Sequence, residues 1–459
     1  MDTSEKDLFQ LIQKYNVPGP RYTSYPTAVQ FSETFNQEEI ETRLSQSRST
    51  GKPISLYIHI PFCFSLCWYC GCTKIITRDS NRGDVYLDYL QKEMALISES
   101  SGTAPAVKQV HFGGGTPTFL TPAQLRRLGQ IIYNQFDVHP DVEFSVEIDP
   151  RRCTEEHVAA LSEIGVNRAS LGVQDTNSDV QQAIHRIQPF EQTQYVTRAL
   201  RSHGISDINF DLIYGLPRQT VETFRQTIAD VNSLDPNRLA IYSYAHMPGI
   251  MPAQKLLNEA EFPSPEEKLS MLTTAINLLP DYGYRYIGMD HFARDDDELS
   301  RALDEGTLHR NFQGYSTHAE LDMVALGMSG ISMGESLYVQ NAKDLEVYYD
   351  ALDQHQLPVQ KVLELTKEDR IRRTIIMDIM CRGEIGYDDI SEKTGVRFES
   401  AFSEELKNLD LLEADGLLTR DESGFSVTDT GRLFLRNIAM VFDGYLTKKK
   451  NRPVYSKTV

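Results

Sequence analysis

The sequence predicts an α/β fold built on a parallel sheet that closes into a barrel or a partial barrel. Strand-like and helix-like segments alternate from about residue 54 to residue 290, and six such βα units follow one another. Repeated βα units give parallel strands joined by right-handed crossovers. The unusual motifs also come directly after strands, where parallel α/β folds hold their ligands. A doubly wound open sheet remains the alternative.

The individual elements follow from hydrophobic periodicity and from local end signals. Thr121 and Pro122 supply an N-cap and a first-turn proline for the helix after the second strand. Thr154 caps the next helix, which ends at Gly165. A further helix, at 266–279, follows the last strand. The six predicted strands are 54–62, 107–112, 142–148, 169–173, 208–214 and 239–244.

Three segments flank this core barrel, which we place at residues 51–290. Residues 1–50 are predicted to form an N-terminal helical or lid segment, and residues 291–364 an extension of the barrel. Residues 365–459 are predicted to form a mostly helical, winged-helix-like domain, with a longer helix at about 399–412 and two short strands after it. The acidic balance of the chain favours a packing or lid role for this domain over DNA binding.

The composition argues against several classes of partner. The formal net charge is -19, which argues against nucleic acid and against an anionic membrane surface. No run of 18 apolar residues predicts a transmembrane helix, and the polar start at Met1 lacks a signal-peptide core. We therefore expect a cytoplasmic protein, in which an anionic substrate would be met by positive charge local to the pocket.

Four of the six cysteines crowd into ten residues after the first strand, in the spacing C-x3-C-x2-C-x-C. Cys63, Cys67 and Cys70 place three thiolates on one side of a short loop, which can hold three irons of a [4Fe–4S] cube and leave the fourth open. Zinc is the competing interpretation, although it prefers paired C-x2-C knuckles with four ligands. Cytoplasmic thiols stay reduced, so disulfides are the weaker explanation. Cys153 and Cys381 are expected to be packed thiols.

Each of the other five predicted strands is also followed by a chemically unusual motif. Glycine has no Cβ atom, so the backbone of the glycine motif can approach a ligand closely. The paired carboxylates Glu147 and Asp211 suit ribose hydroxyls or an ammonium group. Plainer interpretations stay open: the glycines as a tight turn, Glu147 and Asp211 as solvated strand-end carboxylates, and Arg186 as a surface helix arginine. The five motifs are Gly113-Gly-Gly115, Glu147-Ile-Asp149-Pro, Gln174-Asp175, Gly215-Leu-Pro217 and Ala245-His-Met-Pro.

With these residues in view, the chain resembles the radical S-adenosylmethionine (SAM) enzymes and, within them, the family of oxygen-independent coproporphyrinogen III oxidases. Cysteine triads mark the whole superfamily, whereas Cys72 and the segment at Arg21 point to this family. Besides the cysteine loop, the matching motifs are Arg21-Tyr-Thr-Ser-Tyr-Pro-Thr27, Gly113-Gly-Gly-Thr-Pro-Thr118, Ser170-Leu-Gly-Val-Gln-Asp175, Asp211-Leu-Ile-Tyr-Gly-Leu-Pro217, Gly288-Met-Asp-His-Phe-Ala293 and Asn311-Phe-Gln-Gly-Tyr315.

The resemblance implies a partial parallel (β/α)6 TIM-like barrel of the radical SAM type and a SAM-dependent oxidoreductase. Cys63, Cys67 and Cys70 would hold one [4Fe–4S] cluster, whose open iron would bind SAM. A 5′-deoxyadenosyl radical would take hydrogen from two propionate side chains of coproporphyrinogen III, and loss of carbon dioxide would give protoporphyrinogen IX without oxygen. The family uses two SAM molecules per product in anaerobic heme biosynthesis. It also needs an electron donor, and we expect a monomer.

The resemblance also assigns residues to two SAM sites. The first SAM would meet Tyr57, Gly114 and Glu147. The second SAM would use Tyr69, Gly115, Thr116 and Ile331, with Phe312 and Gln313 nearby. Further round, the SAM sites would be lined by Gln174, Arg186, Asp211 and Ala245.

Substrate recognition and the role of the fourth clustered cysteine are less constrained. Arg21, Lys74 and Arg78 flank the most specific motifs and are candidates for binding propionates. Cys72 could be a fourth ligand, a spare thiol or a substrate-side residue, and the need for an open iron argues against ligation. The competing functions are a heme-binding chaperone of the same family and a radical SAM methyltransferase that opens heme. The segments at Arg21 and Asn311 weigh against both.

Overall fold

The computed structural model describes residues 3–48, 51–100, 104–319, 321–448 and 455–458. Its central element is one sheet of twelve strands. In chain order these are Ile54–Ile60 (β1), Ala106–Gly114 (β2), Asp137–Ile148 (β3), Arg168–Gln174 (β4), Asp207–Tyr214 (β5), Arg238–Ser243 (β6), Tyr284–Gly288 (β7), His291–Arg294 (β8), Asp322–Leu326 (β9), Ile331–Met333 (β10), Leu337–Asn341 (β11) and Val359–Glu364 (β12).

Strands β1 to β6 lie side by side in chain order and all run parallel, which confirms the predicted sheet. β9 adds a further parallel strand on the other side of β1, with Ala325 opposite Tyr57. β10 to β12 continue antiparallel from β9, and β8 and β7 continue antiparallel from β6. Within the described residues the two ends of the sheet are not paired with each other, so the barrel is partial.

Eighteen α-helices accompany the sheet in the described ranges. They are Thr3–Tyr15 (α1), Gln37–Arg48 (α2), Asn81–Ser100 (α3), Pro122–Gln135 (α4), Glu155–Glu163 (α5), Ser178–Ala183 (α6), Phe190–Ser202 (α7), Val221–Asn232 (α8), Pro265–Leu278 (α9), Glu298–Asp304 (α10), Leu345–Asp353 (α11), Lys367–Cys381 (α12), Tyr387–Thr394 (α13), Phe398–Ala401 (α14), Ser403–Asn408 (α15), Asp410–Ala414 (α16), Leu435–Met440 (α17) and Gly444–Lys448 (α18). Short 3₁₀ helices lie at Ala28–Gln30, Pro117–Phe119, Pro150–Arg152, Pro252–Leu256, Glu259–Glu261, Pro280–Tyr282 and Gly431–Phe434.

The strands separate an apolar outer layer from a polar interior. Val110 and Phe112 of β2 are fully buried in the main core, which they share with Leu125 of α4. Side chains alternate between the two faces of a strand, and Gln109 and His111 of β2 therefore face inward, where they line a cavity. The concave face of the sheet thus carries the groups that can do chemistry.

The structure differs from the sequence prediction at several element boundaries, and β3 begins at Asp137 and not at residue 142. The first strand ends at Ile60, because Pro61 has no N–H for the ladder. Phe62–Cys63 then forms a separate strand with Ile75–Ile76. The predicted long helix at 399–412 is instead α14, α15 and α16. Phe402 leaves the helical region with ψ 28° and buries its ring beside Phe398.

The C-terminal region has the winged-helix character that the sequence predicts. A small antiparallel sheet of Glu384–Gly386, Gly424–Val427 and Leu418–Arg420 packs with α12 to α17. Its core also contains Tyr22 and Tyr25 of the N-terminal segment, so the two ends of the chain share one core. A hairpin of His309–Asn311 and Gly314–Ser316 lies between this region and the barrel. Nowhere in the described ranges is a helix long and apolar enough to cross a membrane.

Candidate functional site

The cysteine loop follows β1 at the carboxyl end of the parallel strands. Cys63, Cys67 and Cys70 are free thiols, and Cys67 is the most buried of them. The sulfur of Cys67 accepts hydrogen bonds from the guanidinium groups of Arg151, at 3.3 Å, and Arg186, at 3.6 Å. Two positively charged groups therefore contact one of the three predicted cluster ligands.

Asp149 holds both arginines in place. Its carboxylate lies 2.6 Å from Arg151 and 3.3 Å from Arg186, and it also caps the 3₁₀ turn Pro150–Arg152. Burial opposes ionisation of this carboxyl, but the two arginines outweigh it and lower the pKa of Asp149 to about 2. The carboxyl end of β3 is thereby fixed to the cysteine loop.

The three thiols interact with one another electrostatically. Burial and the neighbouring Cys70 and Cys67 raise the pKa of Cys63 to about 12. A hydrogen bond from the Cys72 thiol lowers the pKa of Cys70 to about 6, with support from Lys74. The thiolate is the form that binds metal. Three free thiols on one loop, two of whose sulfurs accept hydrogen bonds, fit an iron–sulfur cluster.

A single zinc ion needs a different ligand arrangement from a [4Fe–4S] cluster. Structural zinc needs four ligands around one ion. In the part of the chain that the structure describes, no three His, Cys, Asp or Glu side chains, the cysteine triad included, are arranged to hold a single metal ion. The preference for a cluster over zinc rests on the C-x3-C-x2-C spacing.

The glycine turn after β2 is tied to the cysteine loop through backbone hydrogen bonds. The N–H of Gly115 donates to the carbonyl of Ile60 at 2.8 Å, and that of Thr116 to the carbonyl of Phe62 at 3.0 Å. A Cβ at Gly115 would lie 2.6 Å from the carbonyl oxygen of Pro61, so only glycine fits. The glycine turn therefore also anchors the start of the cysteine loop, and it is not only the tight turn that the sequence left open.

Tyr57, Gly114 and Glu147 meet on the concave face above this turn. Glu147 accepts the N–H of Gly114 at 3.1 Å and lies 3.4 Å from Nε2 of His111, and 45% of its side chain is exposed. The ring of Tyr57 stacks on His111 with centroids 5.7 Å apart, and its hydroxyl lies 3.1 Å from Nδ1 of His59. Glu147 is therefore oriented by the protein and still has room to accept a ligand.

Asp211 and Gln313 line an interior cavity of about 140 Å³ together with Glu147. Ser170 and Asn209 donate to Asp211 at 3.0 and 2.9 Å. Burial and the nearby Glu147 raise the pKa of Asp211 to about 6. The Nε2 of Gln313 is buried and has no hydrogen-bond partner among the described residues. The amide donor of Gln313 and the carboxylates of Asp211 and Glu147 therefore belong to residues that line the same cavity.

Gln174 and Arg186 converge on Gly172 of β4. A Cβ at Gly172 would lie 2.8 Å from Nε2 of Gln174 and 3.1 Å from Nη2 of Arg186. Gln174 ends its strand with φ 69°, which is rare for a residue with a side chain and turns it back toward the site. Arg186 is only 6% exposed and donates to the carbonyl of Gly172 at 2.6 Å. The interpretation of Arg186 as a surface helix arginine is therefore wrong.

Tyr69 and Ala245 are joined through Gln254. The Nε2 of Gln254 donates to the carbonyls of Tyr69 and Ala245, both at 3.2 Å, and its Oε1 accepts the N–H of Met247 at 2.5 Å. The cysteine loop and the loop after β6 are therefore held together at the carboxyl edge of the sheet.

Two predicted site residues lie apart from these clusters. Ile331 begins β10 opposite Gln340, and its side chain packs against Tyr338 and its neighbours. Phe312 occupies the turn of the hairpin and is half-buried. Cys153 and Cys381 are buried, as expected of packed thiols.

The structure adds Arg151, His111 and Gln254 to the residues that the sequence suggested. Arg151 follows Asp149 by two positions, so a strand-end carboxylate with a basic neighbour was a readable signal. His111 shares a strand face with Gly113, which period-2 alternation could have revealed. Gln254 lies in an irregular segment and had no sequence signal.

Two of the three positive groups suggested for the substrate have partners of their own. Arg21 pairs with Asp290, and its guanidinium lies 5.7 Å from the ring centroid of Tyr242. The ammonium group of Lys74 donates to the carbonyls of Cys70 and Cys72, at 3.3 and 3.2 Å.

Comparison with known protein families finds two matching regions. The Radical SAM superfamily matches residues 57–231, which contain the second half of β1, the cysteine loop and β2 to β5. The HemN C-terminal domain matches residues 365–434, which include α12 and the small antiparallel sheet.

Comparison with individual proteins covers the whole chain. It is 44% identical to oxygen-independent coproporphyrinogen III oxidase of Pseudomonas aeruginosa over 461 residues, 100% of each chain. It is 44% identical to the protein of that name from Escherichia coli, over 98% of each chain. Among solved structures, coproporphyrinogen III oxidase (HemN) from Escherichia coli, described as a radical SAM enzyme, matches with a TM-score of 0.91 and 42% identity. The match covers 95% of this chain and 99% of that one.

Proposed function

The chain belongs to the family of oxygen-independent coproporphyrinogen III oxidases, and we propose that it converts coproporphyrinogen III to protoporphyrinogen IX without oxygen. Two propionate side chains would each lose hydrogen and carbon dioxide and become vinyl groups. The supporting observation is the cysteine loop, which sits at the carboxyl end of six parallel strands and is tied to the glycine turn and to Asp149. The 44% identity to the Pseudomonas aeruginosa protein extends over the full chain.

A radical SAM domain implies a [4Fe–4S] cluster and SAM. Cys63, Cys67 and Cys70 would hold the cluster, and Cys72 would remain outside it. When bound, the cluster supplies the electron that cleaves SAM to methionine and a 5′-deoxyadenosyl radical. The residues of this chain orient the ligands and exclude water. Arg151 and Arg186 donate hydrogen bonds to the sulfur of Cys67.

Two SAM molecules are proposed to bind per product. Tyr57, Gly114 and Glu147 would serve the first, because Glu147 is oriented by the Gly114 N–H and keeps an exposed carboxylate. The residues proposed for the second are Tyr69, Gly115, Thr116, Ile331, Phe312 and Gln313.

Four further residues are proposed to line the SAM sites and are not assigned to one of the two. Asp211 shares the interior cavity with Glu147 and Gln313, and Ala245 is joined to Tyr69 through Gln254. Gln174 and Arg186 meet at Gly172. The carboxylates of Asp211 and Glu147 suit the ribose hydroxyls and the ammonium group of SAM.

The flanking segments are proposed to close the site. Residues 1–50 would act as a lid, residues 291–364 would extend the barrel toward the second SAM, and residues 365–459 would pack over the opening. The N-terminal segment shares a core with the C-terminal region and places Arg21 against Tyr242 of β6. We propose that the enzyme acts as a monomer in the cytoplasm with a separate electron donor.

An anaerobic assay tests the reaction. The cluster is reconstituted, reductant, SAM and coproporphyrinogen III are added, and 5′-deoxyadenosine and tetrapyrroles are quantified together. Protoporphyrinogen IX with two deoxyadenosines per molecule is the expected result. Cys67→Ser should give neither, whereas the control Cys153→Ser changes a packed thiol and should give both. Stoichiometric heme binding without SAM cleavage from an intact cluster would indicate the chaperone instead.

A further inference from the structure

Arg310 is a buried arginine whose charge has no counterpart in the described residues. It lies on the hairpin and is 3% exposed. Its Nε and Nη1 atoms have no hydrogen-bond partner among the described residues. Its guanidinium lies 4.7 Å from the ring centroid of Tyr315. An arginine cannot lose its proton, and a buried charge without a partner is strongly unfavourable unless a ligand completes it.

Arg310 lines a cavity of about 250 Å³ that is distinct from the interior cavity beside Asp211. The second cavity lies between Tyr25 of the N-terminal segment, the hairpin, the start of β9 and Arg373 of α12. Pockets that enclose a whole organic ligand measure about 300–1,000 Å³. This space therefore suits one arm of a larger ligand.

The charges around this second cavity leave a positive surplus. Its carboxylates have cations of their own: Asp322 lies 3.2 Å from Lys52, and Glu335 lies 3.8 Å from Arg370. Arg373 donates hydrogen bonds to neutral oxygens of the described chain, namely the carbonyls of Gly334 and Glu335 and the hydroxyl of Tyr338. Arg310 and Arg373 thus both line the cavity, and no carboxylate of the described ranges forms an ion pair with either.

We infer that this cavity is a carboxylate-binding subsite in which Arg310 and Arg373 hold a propionate of the tetrapyrrole. The planar guanidinium fork matches a carboxylate and binds it with two charge-assisted hydrogen bonds. Arg310 lies directly across the hairpin from Tyr315, which lines the interior cavity with Asp211 and Gln313. A propionate held at Arg310 would therefore anchor the substrate beside the proposed reaction site. The inference rests on the proposed function and deepens it.

Substitution of Arg310 tests the subsite. The cluster-loaded protein is titrated with coproporphyrin III, the stable oxidised relative of the substrate, and KM and kcat are measured with coproporphyrinogen III. Arg310→Gln should weaken coproporphyrin binding and raise KM by about 10- to 100-fold, as expected for lost hydrogen bonds to a charged group, and Arg373→Gln should do so less. Lys367→Gln, which removes an exposed cation of the same helix that does not line the cavity, is the matched control and should bind as wild type.

The outcomes separate the two proposals. Wild-type protein that neither binds coproporphyrin III nor forms product overturns the proposed function and this subsite with it. Wild-type protein that does both, together with unchanged affinity and KM in Arg310→Gln, overturns the subsite alone. Inorganic phosphate is titrated in parallel. If Arg310→Gln loses phosphate binding but keeps full coproporphyrin affinity, the site takes free anions, and the tetrapyrrole assignment is wrong.

A second variant keeps the buried arginine and covers the case in which Arg310→Gln does not fold. Ala319 is exposed and lines the same cavity. Ala319→Glu introduces a carboxylate that competes for Arg310, so coproporphyrin affinity should fall about tenfold or more. Ala319→Gln, equal in size but neutral, should keep the affinity. Equal affinity in the two variants overturns the inference.

Discussion

The Nη2 atom of Arg151 lies 3.3 Å from the Sγ atom of Cys67. Asp149, two residues before Arg151 in the chain, holds that guanidinium in place at 2.6 Å. The end of β3 therefore contributes a fixed positive group to the cysteine loop that follows β1. Hydrogen bonds to the ligand sulfurs are one of the means by which a protein sets the potential of an iron–sulfur cluster.

Arg151→Met should lower the reduction potential of the bound cluster. Loss of a hydrogen bond to a charged group costs about 1.5–3 kcal/mol, which corresponds to a shift on the order of 100 mV for one electron. The measurement is a redox titration followed by electron paramagnetic resonance. Arg152→Met is the matched control, because Arg152 is exposed and lies over Phe64 at 5.2 Å. Equal potentials in both variants would mean that Arg151 does not contact the loaded site.

Cys72→Ser should retain the cluster, whereas serine at position 63, 67 or 70 should lose it. Cys72 is exposed, and an iron left open for SAM needs three protein ligands and not four. The measurement is iron and sulfide content with the visible absorbance after anaerobic reconstitution. Cys153→Ser removes a buried thiol elsewhere and serves as the control. A Cys72→Ser protein that loses iron as Cys70→Ser does would establish a fourth ligand.

Much of the barrel follows from the sequence, because its signals are local. The alternation along β2, with Val110 and Phe112 outward and His111 inward, is readable from neighbouring residues of one strand. Thr121 and Thr154 form capping boxes at the helix starts that the sequence indicates. The cysteine loop could be identified from its spacing alone.

The remaining features depend on contacts between distant parts of the chain. β9 pairs with β1 although their partners Ala325 and Tyr57 are far apart in sequence. Arg186 looks like an ordinary helix-end arginine until Cys67 and Asp149 meet it from two other loops. Spacing rules describe neighbours along one element, so they carry no signal for such a convergence.

Gly115→Ala should weaken SAM binding and leave the cluster in place. The added Cβ would lie 2.6 Å from the carbonyl oxygen of Pro61, which is backbone and cannot rotate away. Forcing an extra methyl group into a packed site costs about 1–3 kcal/mol of stability. The turn must shift away from Pro61, which moves the Gly115 backbone relative to the proposed SAM site, so the SAM affinity should fall about tenfold. The measurement is equilibrium dialysis with SAM, beside iron content.

The control for that change is Gly249→Ala. A Cβ at Gly249 would meet no atom within 4 Å. Its SAM affinity should equal that of the wild type. If Gly115→Ala also binds SAM normally, the glycine turn does not approach the ligand and the proposed second SAM site needs other residues.

SAM affinity should fall as the pH is lowered through 6, because Asp211 takes up a proton there. Burial and Glu147 raise the pKa of Asp211 to about 6, so its carboxylate is nearly all ionised at pH 7.5 and about nine-tenths protonated at pH 5. A protonated carboxyl cannot pair with the ammonium group of SAM and accepts hydrogen bonds from ribose less well. The affinity should therefore drop about tenfold between pH 7.5 and pH 5, measured by dialysis at constant ionic strength.

Asp211→Asn isolates this carboxyl. The amide does not titrate, so SAM affinity should be weak at pH 7.5 and should change little down to pH 5. Asp179→Asn replaces an exposed aspartate of α6 and should keep the wild-type pH dependence. If Asp211→Asn keeps that dependence as well, another group is responsible, and Glu147, which faces the same cavity, is the next to replace.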